Sequence, residues 1–193
     1  LSFIHFTSES LFSILNSMAT SKNHPTRIIL DSLVISDEEW DKFYHKIGTI
    51  VISNLVMISF SGNKMKAEWM HLFKTFLLNH TTLTELGISN SILYNDAESS
   101  IKDLIEFINS SQIKKLEIIG KSDTILREKL IPLLDSLFSH QSIKMLDITG
   151  QEVSDPGLNL ISREIASSLL LEELRFDGNS PSSVDEFLGF LLK

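Results

Sequence analysis

The chain has 193 residues, of which 42% are hydrophobic and 22% are charged. This composition is too apolar for an intrinsically disordered protein, and no apolar run approaches the roughly 18 residues that a membrane-spanning helix needs. The 25 acidic and 17 basic side chains give a net charge of −8, which has the wrong sign for a nucleic-acid-binding protein. Because the chain has no cysteine, disulfide frameworks, thiolate zinc sites and cysteine nucleophiles are excluded.

A six-residue pattern, apolar-x-x-apolar-x-apolar, recurs along the chain at steps of 28 or 30 residues. We call its second apolar position the anchor. The anchors are Ile28, Ile58, Leu86, Leu116, Leu146 and Leu174. An earlier copy, Leu1–Phe6, has its anchor at Ile4, 24 residues upstream of Ile28. This spacing predicts one structural unit per repeat and a single domain over residues 1–193, since no composition change marks a boundary.

The five anchors from Ile28 to Leu146 are followed, 15 and 19 positions later, by residues that are apolar with one exception, and this spacing places both positions on one face of a helix. The pairs are Phe43/Ile47, Phe73/Leu77, Ile101/Ile105, Ile131/Asp135 and Ile161/Ile165, and Asp135 is the exception. Each repeat is therefore predicted to be a strand, a turn and a helix, with Trp40 and Trp69 on the buried helix face. Pro132 indicates a helix that begins near Leu130 or a kinked helix, and we favour the late start.

Helix-start signals lie between the strand patterns and the helical patterns. Ser36–Glu39 and Ser183–Glu186 match the capping box, in which the serine and the glutamate bond reciprocally across the first turn. Ser154 and Asp155 precede a proline suited to a first helical turn. These signals support one helix in each repeat.

The sequence lacks the motifs of phosphate-binding loops, nucleophile elbows and zinc-binding helices. His80 and His140 occupy equivalent places two repeats apart. Two strand spacings separate them by about 10 Å, too far to share a metal ion. We therefore predict a protein that is not an enzyme, has no cofactor or metal, and binds no small-molecule substrate.

The strand segments, above all Leu83–Asn90 and Leu171–Asn179, resemble the leucine-rich repeat, and the period with helical returns resembles the ribonuclease-inhibitor-like subtype. This resemblance implies an α/β fold: a right-handed horseshoe solenoid of about seven repeats with a concave parallel β-sheet and convex α-helices. The subtype is typical of intracellular proteins, which implies a cytoplasmic location. The period, the helical returns and the Phe176–Asn179 turn are also similar to the leucine-rich-repeat region of the CARMIL-type capping-protein linkers, which implies a role in actin regulation.

The family usually places Asn or Cys five residues after the anchor, where the side chain bonds the backbone of the turn. This chain has Leu33, Asn63, Ser91, Lys121, Gln151 and Asn179 there. Asn90 is one residue from this position and is a candidate substitute for Ser91. We therefore expect irregular turns and uneven curvature. Because neither end carries an obvious polar cap, we also expect a piece of a longer array, with capping by the terminal helices as the alternative.

Side chains directly before, directly after and three residues after each anchor are predicted to project from the concave face. The first half of this face is small and mildly apolar, whereas the second half is charged. The candidate partner-binding residues are Lys115, Glu117, Asp147, Glu173, Arg175 and Asp177. Glu117 and Asp147 should be lateral neighbours whose repulsion is offset by Lys115, by Arg175 or by a partner's cation.

This charged patch has two interpretations. It is a contact surface for a protein with basic groups, or a solvated face with no partner; a pair of catalytic carboxylates is the least favoured interpretation, because no third group accompanies them. The first hypothesis for the chain is a non-enzymatic protein–protein interaction scaffold. The alternative is a regulatory module of a small-GTPase activator or of a larger sensor or receptor protein, while a secreted adhesion protein is disfavoured by the lack of cysteine.

Overall fold

The computed structural model describes residues 6–23, 25–93, 97–119, 125–140, 142–167 and 170–179. In these residues strands and helices alternate, and all strands form one parallel sheet in chain order. The strands are β1 (Arg27–Ile29), β2 (Met57–Ser59), β3 (Glu85–Ile88), β4 (Lys115–Ile118), β5 (Met145–Asp147) and β6 (Glu173–Arg175). The helices are α1 (Ser8–Thr20), α2 (Asp37–Ile47), α3 (Trp69–Leu78), α4 (Ala97–Asn109), α5 (Ile131–His140) and α6 (Asp155–Ser167).

The sheet register aligns the anchors of all six described strands. Ile28 pairs with Ile58, Ile58 with Leu86, and the alignment continues through Leu116 and Leu146 to Leu174. The repeat predicted from the sequence is thus confirmed as a repeat-like α/β unit, and the architecture is consistent with a leucine-rich-repeat-like solenoid. The copy at Leu1–Phe6, the turn residue Lys121 and the helix-start signal at Ser183 lie largely or wholly outside the described residues.

The anchors and the helix stripes form a continuous core between the sheet and the helices. Both tryptophans belong to it, since Trp40 and Trp69 are each 1% exposed, which confirms their predicted core role. The stripe shifts in α5, where Leu133, Leu134 and Leu137 are buried while Asp135 is exposed and Ile131 is partly exposed. Asp135, the exception in the sequence pattern, thus lies outside the core, and the predicted burial of Ile131 holds only in part.

The helix starts follow the sequence signals in part. Ser36 Oγ accepts a hydrogen bond from the backbone N–H of Glu39 at 3.3 Å, as predicted. The Glu39 carboxylate, however, accepts from the Ser8 backbone N–H (2.7 Å) and hydroxyl (2.8 Å) of α1. These bonds to Ser8, together with that from Lys42, lower the pKa of Glu39 to about 2. The reciprocal bond of the capping box is thus replaced by a link between α1 and α2.

The starts of α5 and α6 also agree only in part with the signals in the sequence. A one-turn 3₁₀ helix, Arg127–Leu130, precedes α5, so that Pro132 lies in the first turn of the α-helix and the late start is confirmed. α6 begins at Asp155 with Pro156 in its first turn. The hydroxyl of Ser154 is buried without a hydrogen-bond partner, so it does not supply the predicted side-chain cap.

Asparagine side chains bridge successive turns at the position that the repeat pattern marks. Asn63 Oδ1 accepts from the Leu33 N–H at 2.6 Å, and its Nδ2 donates to the carbonyls of Leu30 (2.7 Å) and Phe60 (2.8 Å). Asn179 makes the equivalent three bonds to Val153, Ile148 and Phe176. Each asparagine therefore joins its own repeat to the preceding one.

The remaining turns use other side chains and are irregular, as expected. Ser91 Oγ accepts from the Met65 N–H and donates to the Asn63 carbonyl, and Gln151 Nε2 donates to the Ile118 carbonyl. Asn90 is buried and donates to Gln151 Oε1, two repeats away, at 3.2 Å. The turn layer is therefore held by contacts that skip a repeat as well as by contacts between neighbours.

His80 closes the end of α3 with both ring nitrogens bonded. Its Nε2 accepts from the Ile52 N–H at 2.9 Å, so Nδ1 carries the proton and donates to the Phe76 carbonyl at 2.7 Å. Protonation would remove the acceptor for Ile52, and burial lowers the pKa of His80 below its ordinary value. His80 is thus a neutral structural residue between two repeats, and the side chain of His140 lies outside the described residues.

We expect the free energy of unfolding to fall as the pH drops below about 6.5, because unfolded His80 binds a proton more readily than folded His80. This contribution is fully present above that pH and is lost toward the lower folded-state pKa. Urea unfolding at several pH values checks it: His80→Leu should reduce the slope of the free energy of unfolding against pH. An unaltered slope in His80→Leu would contradict the assignment.

Candidate functional site

The open face of the sheet carries the sequence-predicted site. We define it by the residues directly before, directly after and three residues after each anchor, which alternate away from the helix layer. Ile29 and Arg175, at the two ends of the open face, are exposed. Met57 and Met145, nearer its middle, are each only 7% exposed, since neighbouring side chains cover them. The open face is therefore a packed surface rather than a loose array of side chains.

The predicted charged residues meet across β4, β5 and β6. The register places Glu117 opposite Asp147 and Asp147 opposite Arg175, which confirms that the two carboxylates are lateral neighbours. Lys115 Nζ lies 2.8 Å from Glu117 Oε1, and Arg175 Nε lies 2.7 Å from a carboxylate oxygen of Glu173. The charges thus form ion pairs along β4 and along β6, with Asp147 between them.

Asp147 is the most enclosed charge of this group. Its side chain is 7% exposed, Oδ1 accepts from the Thr149 N–H at 3.0 Å, and Oδ2 lies 4.0 Å from Arg175 Nη1. Glu173 foremost, and Asp147 and Glu117 more weakly, raise the pKa of Arg175, which keeps the guanidinium charged. Lys115 and Arg175 therefore offset the repulsion between Glu117 and Asp147, which is one of the alternatives that the sequence left open.

Asp177 lies apart from these pairs. It follows β6, its side chain is exposed, and its backbone carbonyl accepts from the Gly150 N–H at 2.7 Å. Within the part of the chain that the structure describes, its carboxylate forms no ion pair. The structure thus brings five of the six predicted residues together and leaves Asp177 at the margin.

A further ion pair on the open face was missed by sequence reasoning. Arg27 Nη1 and Nη2 donate to the two carboxylate oxygens of Glu85 at 2.9 and 3.0 Å. Both residues directly precede an anchor, and the register puts Met57 between them, so the pair spans one strand. The sequence did contain a signal for this pair. Both residues hold the position directly before an anchor, and their strands are two repeats, or about 10 Å, apart.

The other side chains on the first half of the open face, formed by β1 to β3, are small or mildly apolar, as predicted. Ser59 Oγ donates to Asp31 Oδ1 at 2.6 Å, and the Ser61 N–H donates to the same oxygen at 2.9 Å. A Cβ at Gly87 would lie 2.4 Å from Ser59 Oγ. The glycine therefore makes room for the serine that holds Asp31.

The chemistry available at the open face is recognition by charge. Among the described residues, no group of three or more His, Asp or Glu side chains is placed to hold a metal ion. No helix in these residues has both the length and the hydropathy to cross a membrane. The open face therefore presents paired, partly buried charges.

Comparison with known proteins supports the fold and gives partial relatives. No family model matches the chain. The C-terminal domain of tropomodulin from Caenorhabditis elegans has a similar structure, with a TM-score of 0.52 and 13% identity over 94% of this chain and 89% of that one. At this identity the likeness shows the fold alone, a repeat-like α/β architecture.

Two curated proteins of Dictyostelium discoideum match parts of the sequence. The Rho GTPase-activating protein gacW is 35% identical over 82 residues, which are 42% of this chain and 7% of that protein. Protein CARMIL is 28% identical over 126 residues, which are 65% of this chain and 11% of that protein. The chain thus spans a small fraction of either relative, and the weak similarity to CARMIL agrees with the resemblance seen in the sequence.

Proposed function

We propose that the chain is a non-enzymatic protein–protein interaction module of the leucine-rich-repeat type, acting in the cytoplasm. In this proposal it is a right-handed horseshoe of the ribonuclease-inhibitor-like subtype, and its open face is the concave, partner-binding surface. The charged ladder formed by Lys115, Glu117, Asp147, Glu173 and Arg175 carries the proposal. A parallel sheet that aligns charges in register offers a rigid, extended template for another protein.

The expected partner presents basic groups. The six predicted site residues comprise four carboxylates and two cations, so the patch has a surplus of two negative charges. The cations are held by intrastrand pairs with Glu117 and Glu173. Among the described residues, the cation nearest to Asp147 Oδ2 is Arg175, at 4.0 Å, and we expect this oxygen to accept a hydrogen bond from a lysine or arginine of the partner.

The context we propose is regulation of the actin cytoskeleton. The support is the weak similarity to CARMIL, a resemblance that the sequence pattern also carries, together with the likeness in fold to a tropomodulin domain. Monomeric actin, filamentous actin and the actin capping protein are accordingly the partners to test first.

A charge swap tests the open face with little risk to folding. Glu173→Lys with Arg175→Glu keeps the net charge and permits an ion pair, and both side chains are about half exposed. We expect at least tenfold weaker binding of one of the three actin-related proteins, measured by biolayer interferometry, because the pattern facing Asp147 is inverted; tenfold corresponds to about 1.4 kcal/mol.

The matched control is the swap Lys144→Glu with Glu172→Lys. This exposed pair precedes β5 and β6 and lies outside the open-face positions. The control should bind like the unmodified chain. Equal binding by both swaps would refute the open face as the binding surface, and no binding of any probe would refute the actin assignment.

The alternative function is a regulatory module of a small-GTPase activator. The observation that favours it is the 35% identity to a Rho GTPase-activating protein. Hydrolysis of GTP by a panel of Rho-family GTPases, with and without the chain, discriminates the two functions. Acceleration that the Glu173→Lys/Arg175→Glu swap abolishes would favour the activator module, whereas unchanged rates favour the scaffold.

A further inference from the structure

An apolar groove of about 680 Å³ runs between α4 and α5 on the helix layer, away from the open face. One wall is a stripe of α4 with Ile101 and Ile105 at its centre, and the other wall includes Pro132 of α5. The stripe continues with Glu98, Lys102 and Glu106, so its members are three or four residues apart. Its length from Glu98 to Glu106 is about 12 Å, or roughly two helical turns.

The late start of α5 explains the groove. α4 has 13 residues and α5 has 10, because a 3₁₀ turn precedes Pro132 where the helix would otherwise extend. A similar groove of about 610 Å³ lies between α5 and α6, whereas polar contacts bridge the boundaries between α2, α3 and α4. Lys74 of α3 bonds Asp103 and Glu106 of α4, and Trp69 of α3 donates to Asp41 of α2 at 3.1 Å.

A hydrogen bond between α4 and α5 lies at the opposite end of the helices. Ser136 Oγ donates to Asn109 Oδ1 at 3.4 Å, beyond the residues that line the groove. The apolar side chains of Ile105 and Pro132 are therefore left partly open to solvent. The groove thus exposes a small apolar strip that is rimmed by charged side chains.

The charged side chains at the rim of the groove determine which peptides it can bind. Glu98 and Glu128 line the same end of the groove, next to the start of α4 and of α5, and Lys102 follows one turn along α4. Within the part of the chain that the structure describes, these three side chains make no ion pair or hydrogen bond. By contrast, Lys74 and Lys42 in the same helix layer are each bonded to carboxylates.

We infer that this groove binds a short amphipathic helix of a partner protein. Apolar residues of that helix, three and four apart, cover Ile105 and Pro132 by the same ridge-and-groove fit that packs helices together. A lysine or arginine at one end of the helix lies between Glu98 and Glu128, and an acidic residue meets Lys102. The site is independent of the open face.

A display experiment identifies the peptide chemistry that the groove accepts. The probe is a phage library of helical peptides with apolar residues fixed at i, i+3, i+4 and i+7 and with all other positions randomised, selected on the full 193-residue chain. We expect enriched peptides that carry Lys or Arg at one end. Hydrogen exchange with a bound peptide should show protection in α4 and in residues 127–133.

Paired variants make the test decisive. Glu98→Lys with Glu128→Lys reverses two exposed carboxylates and should weaken the enriched peptides at least tenfold in fluorescence anisotropy. Glu9→Lys with Glu172→Lys makes the same change in net charge outside the groove and should leave affinity unchanged. The inference is overturned by an absence of enrichment, by peptides equally affected by both pairs, or by protection located elsewhere. Thermal melts establish that all variants are folded.

Discussion

Replacing Asn63 by alanine should lower the free energy of unfolding by about 3 kcal/mol, because the Leu33 N–H and the Leu30 and Phe60 carbonyls lose their partner together. A buried polar group left unpaired costs about 1–3 kcal/mol. Total stabilities are about 5–15 kcal/mol, so the loss is large. Urea unfolding followed by circular dichroism measures it.

Two matched variants separate the turn bonds from a general effect of losing an amide. Asn179→Ala removes the same three bonds from a more exposed turn, where water replaces them, and should cost about 1 kcal/mol. Asn63→Ser should fall between Asn63→Ala and the unmodified chain, because Ser91 makes two bonds of this kind. Equal losses for Asn63→Ala and Asn179→Ala would contradict the argument.

The architecture could be predicted from the sequence because a repeat tests the same hypothesis many times. Any one apolar hexamer is ambiguous, but anchors at nearly constant steps fix a strand in each repeat, and the observed register joins those residues. The role of the asparagine position was implied by the resemblance to the leucine-rich repeat and not by the periodicity itself. Asn63 and Asn179 are the two asparagines among the six residues at this position. Each makes the expected bonds to the turn backbone.

The errors came from contacts that no local pattern encodes. Glu39 satisfies the capping-box spacing, but Ser8 of α1 takes its carboxylate. Ser154 was predicted as a cap residue of α6, but its hydroxyl is buried without a hydrogen-bond partner. Both outcomes depend on the position of the preceding or following element, which a single repeat does not contain.

The candidate site was likewise predictable only in part. The positions of Glu117, Asp147 and Arg175 follow from the register and were correctly placed beside one another. The Arg27–Glu85 pair needs a side chain to reach across an intervening strand, and this reach is a property of the folded sheet. That the patch binds a basic partner remains a prediction, which the Glu173/Arg175 swap tests.

Phe73→Ala is expected to cost about 3–5 kcal/mol, the range for removing a buried phenylalanine. The Phe73 ring is fully buried and lies 5.1 Å from the Phe60 ring and 5.8 Å from the Tyr44 ring. Phe73→Leu keeps most of the apolar volume and should cost under half as much. Urea unfolding compares the two, and similar losses would show that volume at this site contributes little.

The loss of stability caused by Phe73→Ala should be greatest in the repeats that pack against Phe73. Phe73 belongs to α3, Tyr44 to α2, and Phe60 follows β2, so the substitution weakens one interface between repeats. Because solenoid stability is carried by nearest-neighbour interfaces, amide exchange should rise in α2 and α3 more than in α5. Leu134→Ala in α5, also fully buried, should produce the opposite distribution. A uniform rise in both variants would mean that the repeats unfold as one unit, and the nearest-neighbour account of this chain would then be wrong.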